Sequence, residues 1–174
     1  EFSLFVVASD RGSNTGHRAI ISNWHRRGRS TTSFFFGLTG KSNIRLSDAF
    51  APAGSLKNAA TAFLFSGFNS SQGASTYEGR TLLASTGQLP KRDIAGPYVI
   101  GVQGNYGTEY WNGDIAEIIL FARTLSETER EAVWNYLANR YQLKLGAQPN
   151  DSQYLALASL CHVLINTNEF LYID

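Results

Sequence analysis

Trp111-Asn-Gly-Asp-Ile-Ala-Glu-Ile-Ile-Leu-Phe-Ala-Arg-Thr-Leu-Ser-Glu-Thr-Glu-Arg-Glu-Ala-Val-Trp-Asn-Tyr-Leu-Ala-Asn-Arg-Tyr141 reads as one buried strand, a tight joint and one capped helix. In simple alternation Ile115, Ile119 and Phe121 point one way and Ala116, Ile118 and Leu120 the other, so both faces of the strand are largely apolar. Ser126 supplies an N-cap oxygen, and Glu129, three residues on, can reach back to the Ser126 amide. Val133, Trp134, Leu137 and Tyr141 recur at helical spacing and form a stripe that must lie on something. The signature is structural and not catalytic.

Outward from that stretch, short strands alternate with turn chemistry. Phe2 to Ser9 is apolar on both faces, as a strand covered on two sides would be, and Asp10 to Gly16 is a loop by composition. Ala19 to Trp24 and Thr31 to Leu38 read as strands flanking a basic turn, and Phe34-Phe-Phe36 is core on both faces. Asn43 to Leu46 pairs with the preceding strand across Thr39-Gly-Lys-Ser42. Asn58 to Phe65 alternates Ala60, Ala62 and Leu64 against Thr61, Phe63 and Phe65. Ser66 to Gly79 is expected to be a polar, Gly/Ser-rich loop, with further strands at Arg80 to Ser85 and Tyr98 to Val102. About eight strands with no helix before residue 126 predict an all-β sandwich or jelly roll.

Length and composition agree. The 174 residues suffice for one sandwich domain with its own core and a short appendage. A charged fraction of 17% and a net charge of +1 give no field for gathering nucleic acid or anionic membrane, and the cluster Arg26, Arg27 and Arg29 reads as a solvated turn. No window approaches the ~20 apolar residues that span a bilayer, which predicts no membrane insertion. The chain holds no methionine and opens inside a strand, so it is expected to be a piece of a larger protein. Cys161 has no internal partner and sits in an apolar run as an inert thiol.

The stretch from Gly113 to Phe121, the joint Arg123 to Ser126, and the helix carrying Glu129-Arg130, Tyr136-Leu137 and Arg140-Tyr141 resemble the closing strand, Arg-x-Leu-Ser joint and terminal helix of laminin-G-like, concanavalin A-like lectin domains. Phe2 to Ala8, Ala59 to Phe65 and Tyr98-Val-Ile-Gly101 are similar, more loosely, to core strands of such domains. The resemblance implies a jelly-roll sandwich with one C-terminal amphipathic helix and a recognition role.

A division follows: residues 1–145 form the sandwich, and 146–174 a linker and an additional helical tail. Asp151 can N-cap the tail, whose following segment is apolar almost all round. The ending Leu160 to Asp174 resembles the extreme C-terminus of a planctomycete family of cytochrome-associated, multidomain envelope proteins, which implies an extracellular, periplasmic or envelope setting with neighbouring domains as partners. Cys161-His162 lacks the second cysteine that haem attachment requires.

A glycan site needs an aromatic face against the sugar ring and polar groups for its hydroxyls. Two loops offer this: Asn23-Trp24-His25, and Gly104 to Trp111 with Asn105, Tyr106 and Tyr110. These six residues are the candidate ligand-binding set, for a glycan or a protein. Trp24 and Trp111 also suit a core. Glycoside hydrolysis requires two carboxylates roughly 5 to 9 Å apart. Glu109, Asp114 and Glu117 lack the Glu-x-Asp-x-x-Glu spacing, and Glu117 is expected to pair with Arg123 or Arg130. His17, His25 and His162 belong to no triad pattern, and zinc spacing is absent. The domain is therefore read as no enzyme. Laminin-G-like relatives often hold calcium, for which Asp10, Asn14, Asp48 and Asn69 are the available loop oxygens. They form no dense cluster in sequence, and each reads as an Asx-turn or strand-end cap, so no cofactor is expected. The expectation is a noncatalytic recognition module, with a structural spacer or docking domain as its rival.

Overall fold

The computed structural model describes residues 1–12, 16–23, 34–46, 54–89, 98–103 and 109–146. Within them lie nine strands and one α-helix: β1 (Phe2–Ala8), β2 (Arg18–Ser22), β3 (Phe35–Leu38), β4 (Ile44–Leu46), β5 (Phe63–Ser70), β6 (Gly73–Glu78), β7 (Thr81–Thr86), β8 (Val99–Ile100), β9 (Ile115–Phe121) and α1 (Glu127–Tyr141). Two antiparallel sheets form, a larger one in the order β7-β6-β5-β1-β9 and a smaller one in the order β4-β3-β2-β8. This is the all-β jelly-roll sandwich the sequence predicts, closed by its helix. The proposed tail from residue 147 onward lies outside the described residues.

The larger sheet is the middle of three layers, which is why its central strands are apolar on both faces. Leu4, Val6, Ala8, Phe63 and Phe65 point to the smaller sheet and meet Ile21, Phe36, Leu38, Ile44 and Leu46. Phe36 and Phe65 stack with centroids 4.5 Å apart. Phe5, Val7, Leu64 and Phe68 point the other way and meet Trp134, Leu137 and Ala138 of α1. Trp134 packs among Phe5, Phe68 and Tyr77, and its indole N–H donates to Ser66 Oγ at 3.1 Å. The capping box is present: Ser126 Oγ accepts from the Glu129 amide, and Glu129 accepts from the Ser126 amide. Arg123, bonded to both Glu129 oxygens, holds that carboxyl down at about 2.

Three expectations change. The strand read at Asn58 to Phe65 starts at Phe63 and runs to Ser70, and the loop read at Ser66 to Gly79 is the end of β5 and all of β6. The small and polar residues there are demanded by packing: Ser66 receives Trp134, and a Cβ on Gly67 would lie 3.0 Å from both Leu46 and Phe36. In β9 the pairing shifts from Val7↔Glu117 to Ala8↔Ile115, leaving Ala116 as the extra residue of a bulge. Ile115 therefore joins Ile118 at the sheet–sheet core, while Ile119 and Phe121 face the helix. Glu117 turns to the helix too. It accepts from Tyr141 Oη at 2.8 Å and lies 3.4 Å from Arg140, not beside Arg123 or Arg130. Among the described residues no helix is long and apolar enough to cross a membrane.

Candidate functional site

The sandwich has two outward faces. α1 covers the central strands on the outer face of the larger sheet, and the outer side of the smaller sheet carries polar groups around a buried centre. Register fixes what stands there. Ala19 pairs with Gly37, and Gly37 with Arg45, so these three form a row across β2, β3 and β4. The Ala19 amide donates to the Glu109 carbonyl at 3.2 Å, which sets Glu109 at the far end of the same row. Both small residues of the row are buried, Ala19 at 0% exposure, so only its ends reach the surface. Gly37 cannot be larger, because a Cβ there would run into the Arg18 carbonyl and the Ala19 backbone.

Phe35 shares this outer face, since Phe34 and Phe36 belong to the sheet–sheet core. Only 1% of Phe35 is exposed. The Arg45 guanidinium lies 5.2 Å from the centre of its ring, and the His17 ring meets it edge-on at 6.1 Å. Arg45 Nη1 lies 3.5 Å from His17 Nδ1, close enough to donate when that nitrogen is unprotonated. The aromatic is a floor, and the cation and imidazole lie over it.

The segments on either side of residues 104–108 are tied to β2. The Gly101 amide donates to Ile20 O at 2.9 Å, the Trp111 amide to Gly101 O at 2.9 Å, and Ser22 Oγ to Val102 O at 3.1 Å. The Trp111 indole N–H donates to Ser9 O at 3.1 Å while its ring packs against the core. Glu109 is thereby held in a partly dry setting: burial raises its carboxyl above the usual range, and His17 and Arg45 pull it back. Its neighbour Tyr110 is 58% exposed. The arrangement offers acceptor oxygens at one end, guanidinium and imidazole donors at the other, and an exposed aromatic alongside.

The candidate residues read from sequence fare unequally. Asn23 is 3% exposed, its Oδ1 accepts the Phe34 amide at 2.5 Å, and its backbone amide donates to Phe34 O at 3.0 Å. Its side-chain carbonyl thus ties the end of β2 to the residue before β3. Tyr110 stands at the surface beside the row. Trp24, His25, Asn105 and Tyr106 lie outside the described residues. Missed were Arg45 and His17. The available signal was a charged Arg45 between Ile44 and Leu46, both fully buried, which marks an outward position on a strand.

The acids weighed for hydrolysis are engaged separately. Asp114 takes Arg11 at 2.9 Å, Glu117 takes Tyr141, and Glu109 lies in the field of His17 and Arg45. Of the calcium candidates, Asp10 is buried against Arg18 at 2.8 Å and accepts the Gly12 amide at 2.9 Å in an Asx-turn. Asn69 Oδ1 accepts the Leu89 amide at 3.1 Å. Asn14 and Asp48 lie outside the described residues.

No protein-family model matches the chain, and no curated protein matches it significantly. Among solved structures it is similar to the CBM40 module of the Ruminococcus gnavus IT-sialidase, with TM-score 0.58 and 16% identity over 76% of this chain and 81% of that one. That module has also been solved bound to α2,6-sialyllactose. The chain is similar to domain 4 of AbnA, a GH43 extracellular arabinanase from Geobacillus stearothermophilus in complex with arabinotriose, with TM-score 0.51 and 11% identity over 76% of this chain and 66% of that one. It is also similar to part of the Trypanosoma rangeli sialidase, with TM-score 0.58 and 13% identity over 84% of this chain and 24% of that one. These likenesses show the fold, a jelly-roll β-sandwich that those modules share. At such identities they carry the fold and no ligand.

Proposed function

We propose that the chain is a noncatalytic carbohydrate-binding module and that the polar groups at the outer side of its smaller sheet, Glu109, Tyr110, Arg45 and His17, receive the glycan. The observation carrying this reading is the set of polar groups itself: His17 and Tyr110 are exposed, and Arg45 and Glu109 half-buried, around the smaller sheet. Carboxylate oxygens accept from sugar hydroxyls, guanidinium and imidazole donate to them, and an exposed tyrosine offers a ring face. Solved relatives in fold that hold sialyllactose and arabinotriose support the ligand class. Asn105 and Tyr106 remain proposed ligand groups, since their segment joins Gln103 to Glu109; Trp24 and His25 remain so as the residues following β2.

We further propose that residues 1–145 act as one recognition domain within a larger extracellular or envelope protein, with 146–174 meeting neighbouring domains. The test is a glycan array followed by titration calorimetry. Saturable binding that Tyr110→Ala and Arg45→Ala each weaken at least about tenfold supports the reading. Silence across the array supports the structural spacer, and new reducing ends released from oligosaccharides would make the domain a hydrolase.

A further inference from the structure

Arg45 and His17 belong to different parts of the smaller sheet and meet over a third. Arg45 stands on β4, His17 just ahead of β2, and Phe35 on β3 between them. Resting on the glycan reading above, we infer that Phe35 is a positioning residue: its ring face, and not its bulk, holds Arg45 and His17 where a sugar can use them. The Arg45 guanidinium carbon lies 5.2 Å from the ring centre, and the His17 ring crosses Phe35 at 77° with centroids 6.1 Å apart. Arg45 is in register with Gly37 and reaches diagonally to Phe35, two residues back on the same face, past a position that has no side chain. A guanidinium carries donors only, so in the 3.5 Å contact of Arg45 Nη1 with His17 Nδ1 the imidazole nitrogen accepts. The three groups fix one another.

The consequence is preorganisation. An arginine side chain has several free torsions, and a ligand that engages it must first halt them. Arg11 and Arg140 pair with acids while their side chains stay 62% and 58% exposed. Arg45 is half-buried by comparison, laid against an aromatic face that attracts a cation over its centre. Leucine at this position would fill much of the same space and offer no such attraction. Phe35 itself is 1% exposed, so no sugar can stack on it. Its contribution to binding passes through the two groups above it.

The test replaces Phe35 alone, in the full chain, by phenylalanines carrying one, two and then three ring fluorines, which weaken the negative ring face at nearly constant shape. Affinity for the tightest oligosaccharide from the array should fall stepwise, by about fivefold or more at the third fluorine, with the fold retained by circular dichroism. The same series in Arg45→Ala should give a flatter slope, because the cation that feels the ring is gone. A readout that needs neither variant nor sugar is the NMR spectrum of the unaltered chain, where the ring current of Phe35 should move the Arg45 side-chain protons upfield. Affinity that ignores the fluorines, or Arg45 protons at the shifts of a free arginine, overturns the inference while leaving the glycan reading intact. Silence toward every sugar overturns the glycan reading, and this inference falls with it.

Discussion

The two outward faces of the sandwich solve opposite problems. The larger sheet's outer face is covered at its centre: Phe5, Leu64 and Phe68 vanish under Trp134 and Leu137, and the ion pair of Arg80 with Glu131, joined by Asn135 at 2.8 Å, lies at one margin. The smaller sheet's outer face carries a comparable aromatic, Phe35, but covers it with Arg45 and His17, and ends its row in Glu109. One face spends its side chains on stability. The other keeps charged groups at partial exposure, where a fold gains little and a ligand can gain much.

The contrast breaks most visibly at Trp134. Trp134→Ala removes contacts with Phe5, Phe68 and Tyr77 and leaves Ser66 without its donor, and should cost about 3–5 kcal/mol in urea unfolding. Glycan affinity of the remaining folded fraction should not change. Gly37→Ala should cost about 1–3 kcal/mol by driving a methyl into the Arg18 carbonyl, and should weaken glycan binding because the row is displaced. The two variants therefore differ in binding even if their melting temperatures converge.

Smaller effects sharpen the comparison. Ser126→Ala should cost about 1 kcal/mol through the lost cap, read by thermal unfolding. Glu129 adds a pH signature to the same helix end. Its folded carboxyl is held at about 2 by Arg123 and by the Ser126 amide, below its ordinary 4.5. It contributes stability that is present above about 4.5 and lost as pH falls toward 2, and Glu129→Gln should flatten that part of the acid unfolding profile. Tyr110→Ala should change stability by less than about 0.5 kcal/mol, as an exposed substitution, while lowering glycan affinity.

How much of this was legible in the sequence depended on how local the cause was. The capping box and the Trp134–Leu137 stripe were readable because their partners lie three or four residues apart. The apolar faces of Phe2 to Ala8 signalled a strand covered twice, as it is. The strand through Ser66 and Gly67 read as a loop because the reasons for a serine and a glycine there, Trp134 and the approach of Leu46 and Phe36, lie far away in the chain. The Ala116 bulge reversed Ile115 for a similar reason: alternation cannot register an extra residue that only the partner strand reveals. The site suffered most. Arg45 comes beside His17, and Glu109 is bonded through its carbonyl to Ala19, by long-range pairing that no local pattern encodes. Asn23 reads as a ligand group by residue type, and its side-chain carbonyl accepts the Phe34 amide, a partner eleven residues away that no local pattern announces.

Backbone amide shifts followed by NMR during titration with the tightest oligosaccharide from the array test the division between the two faces most directly. The account predicts perturbations at Ala19, Gly37, Arg45, Glu109 and Tyr110, with the Trp134 indole and the amides of α1 unmoved. Shifts concentrated on α1 and β9, with the row silent, would contradict it.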